Sequence, residues 1–399
     1  MSDAAGPAGK SLAKDASLSA VLAGIISTLI SYAGPLVIVF QAARGMPPAL
    51  LESWVWAISI GSGVLGIALS LRYRVPVIIA WNAPGSALLV TLLPTVSFAE
   101  ALGAYILASV AILLIAFSGV FDRLVRALPR GITAAMLAGI LFSFTVEVFA
   151  VLPLRPGLVG AMSVAFFLGR RLFPRYAVVA VLVAGCAVTA LSGDLAAPQA
   201  ALSLTLPVFT APEFSLQALI GISLPLVVVA LTGQWMPGLT VLRESGYRRP
   251  DARPLIGWSA TASMILAPFG CHGLNLAAIT AAICTGPESH PDPGRRYIAG
   301  LSGGAIYLLL GSISATVLGV FAALPPELIV TLAGLALFPT IATALAGALG
   351  DPQERDAALT TFAVSASGMS LFGLGAGFWS LMFGLIVHIV LRWSRRARQ

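Results

Sequence analysis

Long apolar stretches alternate with short polar or charged loops along nearly the whole chain. A helix needs roughly 20 mostly apolar residues to cross a bilayer, and most of these stretches have about that length. On this pattern we predict fourteen membrane segments. The first seven cover 18–42, 53–71, 76–93, 100–119, 130–150, 156–172 and 176–192, and the second seven cover 215–242, 254–267, 268–285, 297–322, 327–348, 356–373 and 375–394.

The composition supports a membrane location. Of the 399 residues, 58% are hydrophobic and 10% are charged, whereas a soluble domain has about 25% charged residues. We therefore predict an all-α integral membrane protein with little soluble mass. The net charge of +7 does not indicate a nucleic-acid partner, because the arginines fall in the loops. Neither a metal nor a cofactor is expected, since the three cysteines lie within apolar segments without a ligand-like spacing.

The loop charges test the number of segments. An even number places both termini on one side of the membrane. Of the 23 lysines and arginines, 21 then fall on the side of the termini, and two, Arg44 and Arg155, fall on the other. Cytoplasmic loops of membrane proteins carry an excess of Lys and Arg. The sequence therefore predicts that both termini are cytoplasmic.

Two sets of seven segments imply an internal repeat. Because seven is odd, the second set enters the membrane from the opposite side, and this arrangement is the inverted repeat of many secondary transporters. We predict a first repeat over 1–192, a linker over 193–214 and a second repeat over 215–399.

The third and tenth segments are interrupted in the same way. The third is PVIIAWNAPGSALLV, and the tenth is PFGCHGLNLAAITAAICTG. Each has a proline, several residues that suit a helix poorly, an asparagine and then a short apolar helix. We predict extended chain near 76–81 and 268–273, adjacent near the membrane centre, with Asn82 and Asn275 as helix caps. The alternative is two ordinary membrane helices that tolerate their prolines.

Two facing half-helix N-termini would form an anion site. Each presents unsatisfied N–H groups and about half a positive charge. No Lys or Arg lies inside a predicted segment, so a buried anion would rely on helix ends, polar side chains or an accompanying proton. Irregular backbone at membrane depth must be covered by protein or line a water-filled cavity, and secondary transporters build substrate sites in this way.

Further polar groups lie in the eighth segment, LTGQWMPGLTVL, where Pro237 frees a backbone carbonyl one turn earlier. Gln234 either bonds a neighbouring helix or lines the site beside Trp235. The first segment has a similar interrupted, mildly polar stretch at Tyr32. We predict that six residues contribute to one substrate cavity: Tyr32, Asn82, Gln234, Trp235, His272 and Asn275.

Ionisable groups inside the predicted segments are few. His272 is the leading candidate for a proton carrier, because histidine titrates near physiological pH and this one lies inside the tenth segment. A buried histidine with only a structural role is the alternative. Glu147, late in the fifth segment, is either a buried carboxylate in a proton path or a surface residue near the membrane boundary.

The tenth segment and its surroundings resemble the benzoate:proton symporter (BenE-type) family. The resemblance rests on PFGCHGLNLAAITAAICTGPESHPDP, on GQWMPGLTVLRESGY and YIAGLSGG on either side of it, on APGSALL in the third segment and on ASGMSLFGLGAGFWSL near the end. It covers essentially the whole chain. It implies a multi-pass protein of a bacterial-type inner membrane.

The resemblance also implies a fold. The seven-plus-seven inverted repeat is shared with uracil and xanthine permeases and with sulfate and bicarbonate anion transporters. A core domain, here about 18–119 and 215–322, carries the substrate, and the third and tenth segments meet in it as short antiparallel strands. A gate domain, here about 130–192 and 327–394, forms dimer contacts, so a homodimer is expected.

We therefore predict a secondary active transporter that imports an aromatic carboxylate with a proton, by an elevator or rocking form of alternating access. Moving one negative charge into a negative-inside cell costs about 2.3 kcal/mol per 100 mV of membrane potential. A proton that enters with the anion cancels that charge. The alternative within transport is a permease for nucleobases or for another organic or inorganic anion. The nucleobase sites of related permeases look like a pair of carboxylates, one on the eighth and one on the tenth segment. This chain has no carboxylate within either segment. The alternative of a different class is a membrane-embedded enzyme or a non-transporting receptor. An enzyme is not expected, because no catalytic motif is present.

Overall fold

The computed structural model describes residues 12–121, 123, 129–194 and 202–396. Three of the basic residues, Lys10, Arg126 and Arg398, lie outside these ranges. The middle of the predicted linker, 195–201, also lies outside them.

Helices dominate the described part of the chain. Its first half forms α1 (Leu12–Asp15), α2 (Leu18–Ala33), α3 (Pro35–Ala42), α4 (Pro48–Tyr73), β1 (Ile79–Trp81), α5 (Ala83–Leu92), α6 (Phe98–Ser118), α7 (Arg130–Val151), α8 (Pro156–Leu172) and α9 (Ala177–Leu191). Its second half forms α10 (Leu216–Glu244), α11 (Ala252–Leu266), β2 (Leu274–Leu276), α12 (Ile279–Thr285), α13 (Tyr297–Ser312), α14 (Ser314–Ala322), α15 (Pro326–Leu349), α16 (Arg355–Ala366), β3 (Ser370–Leu371), β4 (Leu374–Gly375) and α17 (Ala376–Arg396).

Six helices among the described residues are long and apolar enough to cross a membrane. They are the joined α2 and α3, then α4, α6, α7, α10 and α15. α13 and α14 meet at a bend of 75° and form a seventh if they cross together. The prediction of a helical membrane protein is confirmed, whereas the count of fourteen segments in a seven-plus-seven repeat stays a prediction.

The thirteenth predicted segment, 356–373, is shorter than predicted. α16 ends at Ala366, and β3 and β4 then pair as a hairpin, Ser370 opposite Gly375. Phe372 and Gly373 in its turn have φ values of 53° and 74°, in the left-handed region that an α-helix excludes. Apolar residues occupy both the helix and the hairpin, so the hydrophobic pattern does not separate the two.

α10 is one helix with two widened turns. The turns Leu219–Ser223 and Leu231–Trp235 have π-helical bonding, and each precedes a proline, Pro225 or Pro237. A proline ring clashes with the carbonyl four residues earlier, and a wider turn relieves this clash. The predicted disturbance one turn before Pro237 is therefore present.

Two large clusters of buried apolar side chains hold the bundle together. One cluster joins residues of α4, β1 and α6 to residues of α10 and α11, and the other joins α7, α8 and α9 to α15. α13 packs against α2 and α4, and α15 packs against α7. Helices from the two halves of the chain are therefore interleaved, while the division into core and gate domains stays a prediction.

The crossing of α2 and α13 is close because of a glycine. A Cβ atom on Gly24 would lie 2.1 Å from the carbonyl oxygen of Ala299. Thr28, one turn later, donates a hydrogen bond to the carbonyl of Gly303 at 3.0 Å. Small residues allow membrane helices to approach in this way, and this contact joins the first predicted segment to the eleventh.

The described part of the linker is extended and tied to helix ends. The amide of Thr205 donates to the carbonyl of Ser312 at 2.8 Å, and that of Thr210 donates to the carbonyl of Pro268 at 2.9 Å. The amide of Val208 donates to the hydroxyl of Ser53 at 2.9 Å. The linker therefore crosses one end of the bundle near the start of α4 and the ends of α11 and α13.

Candidate functional site

The two interrupted segments meet as an antiparallel strand pair at the centre of the site. Ile79 lies opposite Leu276, and Trp81 lies opposite Leu274. Two further backbone bonds extend the pairing: the amide of Asn82 donates to the carbonyl of Gly273 at 3.1 Å, and the amide of Ala277 donates to the carbonyl of Ile78 at 2.9 Å. Extended chain and adjacency were predicted for these segments, and both are present.

The strand of the tenth segment lies later than predicted. Residues 267–269 form a turn of 3₁₀ helix, and β2 covers Leu274–Leu276 instead of the predicted stretch at 268–273. Asn275 therefore lies inside the strand, opposite Ala80. It is not a helix cap, because α12 begins at Ile279 after Ala278 and has no side-chain cap. The register with β1 decides this position, and a single strand does not reveal its register.

The cap predicted for the third segment is present. The side-chain oxygen of Asn82 accepts a hydrogen bond from the amide of Gly85 at 3.0 Å, at the start of α5. Pro84 lies in the first turn, where a missing N–H is tolerated. Asn82 is buried, so this cap fixes the start of α5 in the interior of the bundle.

The two half-helices begin at opposite ends of the strand pair, and an anion site between their N-termini stays a prediction. Because the strands are antiparallel, α5 begins at one end of the pair and α12 begins at the other. At α5, Asn82 already bonds the amide of Gly85, so few free N–H groups remain for an anion.

His272 lies at the junction of three elements. Its Nδ1 is 3.0 Å from the indole nitrogen of Trp54 in α4. Its Nε2 is 2.8 Å from the hydroxyl of Ser86 in α5 and 3.1 Å from the carbonyl oxygen of Asn82. The ring also packs edge-on against Tyr105 of α6, with 6.2 Å between centroids. Both ring nitrogens are therefore engaged in a buried network.

A small cavity lies beside this network. Its volume is about 10 Å³, which is room for about one water molecule. Sites for drug-sized ligands measure roughly 300–1,000 Å³, so this conformation is closed to an organic substrate. The cavity is lined by Asn82, Ala108, Ser109, Ile112, Leu226, Ala230, Ala260, Ser263, His272, Gly273, Leu274 and Asn275.

Asn275 presents an unused donor at this cavity. Its side chain is buried, and its Nδ2 has no hydrogen-bond partner among the described residues. Gly273 brings Asn82 and Asn275 together, since an added Cβ there would lie 3.8 Å from both Asn82 Cβ and Asn275 Nδ2. A buried donor without a partner is unfavourable, so a molecule that accepts its hydrogen bond would be stabilised at this point.

Tyr32 lies on the other face of the strand pair. Its hydroxyl is 2.5 Å from that of Ser59, and its ring packs against Trp81 and Tyr307 at centroid distances of 5.6 and 6.0 Å. Neighbouring residues of a strand point to opposite faces. Trp81 therefore points away from the face that Ala80 shares with Asn275, and Tyr32 does not line the cavity.

Gln234 and Trp235 also lie outside the cavity. Trp235 is fully buried, and its indole nitrogen has no partner among the described residues. Gln234 is half-buried. The preceding residue, Gly233, lies between two other elements, because a Cβ there would be 3.5 Å from Leu137 of α7 and 3.9 Å from Pro84 of α5. Gln234 therefore belongs to the region where α5, α7 and α10 meet.

Glu147 is exposed on α7, next to the exposed side chains of Val146 and Phe149. The cavity is lined by residues of α6, α10, α11 and the strand pair. Of the two interpretations of Glu147, the surface position is the one observed. Its part in proton coupling stays a prediction, as does that of His272.

Trp54, Ser86 and Tyr105 surround His272, but their sequence positions did not indicate this. Trp54 lies near the start of the second predicted segment and looks like an ordinary boundary tryptophan. Ser86 follows Asn82 by one helical turn, and this spacing was the available signal, because residues four apart share a helix face. Tyr105 belongs to a distant segment whose contact with His272 depends on tertiary packing.

Comparisons with known proteins agree with this architecture. The family model described as "Benzoate membrane transport protein" matches residues 14–390. The benzoate membrane transport protein of Acinetobacter baylyi is 42% identical over 96% of this chain and 97% of its own. The inner membrane protein YdcO of Escherichia coli K12 is 39% identical over 93% of this chain and 95% of its own.

The fold resembles that of an anion transporter of known structure. The transmembrane domain of the cyanobacterial bicarbonate transporter BicA matches with a TM-score of 0.58 and 14% identity, over 94% of this chain and 96% of that one. At this identity the likeness concerns the fold alone. The family match covers nearly the whole chain, which confirms a membrane transporter and not an enzyme: the chain belongs to the benzoate membrane transport protein family.

Proposed function

We propose that this protein imports a small aromatic carboxylate, of the benzoate type, together with a proton. The observation that carries the substrate class is the similarity to the benzoate membrane transport protein of Acinetobacter baylyi. A carboxylate with an apolar ring suits apolar walls with a few convergent polar groups.

We place the substrate against the strand pair, with its carboxylate accepting a hydrogen bond from Nδ2 of Asn275. Support comes from the burial of this donor and its lack of a partner among the described residues. Ile112, Leu226 and Ala230 supply apolar surface for the ring. The present cavity of about 10 Å³ is too small for that ring, so binding requires α6, α10 or α11 to move.

The opening is proposed to follow an elevator or rocking movement of the core (18–119 and 215–322) against the gate (130–192 and 327–394). Gly233 lies between Pro84 and Leu137, which are assigned to the core and the gate respectively. The substrate path is placed along this contact, beside the half-buried Gln234. Trp235 and Tyr32 do not line the present cavity, so their proposed contacts with the substrate require the opening movement to bring them to it. The gate is the proposed surface of a homodimer.

The proposed topology has fourteen segments, two inverted repeats and cytoplasmic termini in an inner membrane. The linker supports it. The linker bonds the start of α4 and the ends of α11 and α13, and in the proposed topology all three lie on the linker's side, opposite the termini.

A proton is the proposed coupling ion because of charge. Among the described residues, the cavity has no charged side chain. Moving one negative charge into a negative-inside cell costs about 2.3 kcal/mol per 100 mV of membrane potential. A proton taken up with the anion cancels its charge and removes this electrical cost. His272 borders the cavity and is the proposed carrier, with Glu147 as the alternative.

Uptake of radiolabelled benzoate into proteoliposomes tests this function. With an alkaline interior, we expect accumulation that a protonophore abolishes and that excess unlabelled benzoate competes away. Because neutral benzoic acid crosses bilayers unaided, initial rates are compared with those of protein-free liposomes. Bicarbonate and uracil are the competitors for the alternative substrate classes.

Two results would contradict the proposal. Protein-dependent uptake that is insensitive to the pH gradient would exclude proton symport. Competition by bicarbonate or uracil, but not by benzoate, would move the protein to another substrate class of the same fold.

A further inference from the structure

Trp54 and His272 share a hydrogen bond whose direction is fixed by chemistry. The indole nitrogen of Trp54 is 3.0 Å from Nδ1 of His272, and an indole N–H only donates. Nδ1 must therefore accept and carries no hydrogen. In the neutral ring the hydrogen is then on Nε2, where the carbonyl oxygen of Asn82 at 3.1 Å and the hydroxyl oxygen of Ser86 at 2.8 Å are available to accept it.

We propose that Trp54 is a positioning residue that holds His272 neutral, so that His272 takes up a proton only when the indole leaves Nδ1. The proposal rests on the proton symport proposed above and adds to it the residue that controls the carrier.

The two sides of the ring respond differently to a proton. Nε2 carries a hydrogen in both the neutral and the charged ring, so its bonds to Asn82 and Ser86 persist. Nδ1 changes from acceptor to donor, and a donor then faces the N–H of Trp54. Protonation therefore leaves the contact with α5 intact and breaks the contact with α4.

No other described group in contact with the His272 ring would respond to its protonation as Trp54 does. The described residues that contact it by hydrogen bonds or ring packing are Trp54 of α4, the α5 cap Asn82, Ser86 of α5, and Tyr105 of α6. Cys271 adjoins it in the chain. None of these side chains is an acid or a base that is charged at neutral pH, so the Trp54 contact is the one that distinguishes the two protonation states.

The backbone near Trp54 is tightly fixed to the turn before His272. Gly270 has a φ of 105°, and a Cβ there would lie 2.8 Å from the Cα of Trp54. The hydroxyl of Ser53 donates to the carbonyl of Phe269 at 3.0 Å. Since α4 and this turn are held together, release of Nδ1 requires rotation of the indole or separation of these two backbones.

A pair of matched variants tests the proposal by transport. Trp54→Phe keeps an aromatic ring and removes the donor. Trp56→Phe, in the same helix, changes a tryptophan that packs against Phe269 at 6.0 Å and does not contact His272. We expect Trp54→Phe to shift the pH at which uptake falls to half upward by about 0.5–1 unit, and Trp56→Phe to leave it unchanged.

Nitrogen-15 NMR tests the same contact without transport. The chain has three histidines, so His290→Gln with His388→Gln, in protein purified without a histidine tag, leaves His272 alone. We expect an unprotonated Nδ1 and a protonated Nε2 at neutral pH. A protonated Nδ1 at neutral pH would overturn the proposal, so the proposal can be refuted even if Trp54→Phe does not fold.

The failures of the two proposals are distinguishable. Wild-type uptake that ignores the pH gradient defeats the symport proposal. If the pH gradient drives wild-type uptake, but folded Trp54→Phe falls to half its uptake at the same pH as the wild type, the Trp54 proposal alone fails.

Discussion

Nε2 of His272 lies 3.1 Å from the carbonyl oxygen of Asn82, although 190 positions separate the two residues in the chain. Asn82 caps α5, and His272 lies in the turn that leads into β2. This contact therefore ties the two interrupted segments together beside the strand pair. His272, the candidate proton carrier, and the buried Asn275 both line the cavity.

Replacement of His272 should separate transport from its driving force. We expect His272→Gln, which does not titrate near neutrality, to retain exchange of labelled for unlabelled benzoate at equal pH and to lose accumulation driven by a pH gradient. Glu147→Gln changes the exposed carboxylate on α7 and should leave both activities intact. Proteoliposome uptake measures both. If His272→Gln still concentrates substrate while Glu147→Gln does not, the carrier is Glu147.

Replacement of Asn275 should affect binding more than folding. Its Nδ2 has no partner among the described residues, and an unpaired buried donor costs about 1–3 kcal/mol. We therefore expect Asn275→Leu to keep or raise the thermal stability and to weaken benzoate binding at least about tenfold, since about 1.4 kcal/mol is a factor of ten. Binding to purified protein and thermal unfolding measure the two effects.

Gln234→Ala extends this test to the region where α5, α7 and α10 meet. If Gln234→Ala and Asn275→Ala both leave binding and uptake unchanged, the substrate site lies elsewhere.

Loss of the cap at α5 should cost stability and transport together. The side chain of Asn82 bonds the amide of Gly85 at 3.0 Å, and loss of such a cap costs about 0.5–2 kcal/mol. Asn82→Ala should lower the unfolding temperature and the uptake rate, and Asn82→Ser should restore part of both. Ser97→Ala removes the cap of α6, whose residues Ser97 and Glu100 form an exposed capping box, and should lower stability alone. Equal transport losses in Asn82→Ala and Ser97→Ala would point to general instability.

Gly270 should not tolerate a side chain. Its φ of 105° disfavours any other residue, and a Cβ there would overlap the backbone of Trp54. Gly270→Ala should lower stability by about 1–3 kcal/mol, measured by thermal unfolding in detergent. Gly257→Ala, in α11, is the control, since its Cβ would meet Phe117 at an ordinary 3.6 Å. A stable Gly270→Ala protein would mean that the turn before His272 adjusts freely.

The sequence by itself determined those features that depend on residues close together in the chain. Apolar length and few charges fix a helical membrane protein, because a bilayer interior accepts little else. Proline and asparagine chemistry, which acts over a few residues, indicated both the cap at Asn82 and the disturbed turn before Pro237.

Only the tertiary structure decided where the polar groups meet. The register of β1 with β2 made Asn275 a strand residue instead of a cap, and the alternation of a strand turned Trp81, and with it Tyr32, to the face opposite Asn275. Packing of α4 against the turn before β2 placed Trp54 on His272 and so fixed which nitrogen carries the hydrogen. Register and long-range packing are set by contacts between residues more than a hundred positions apart, and the order of residues within one segment does not contain them.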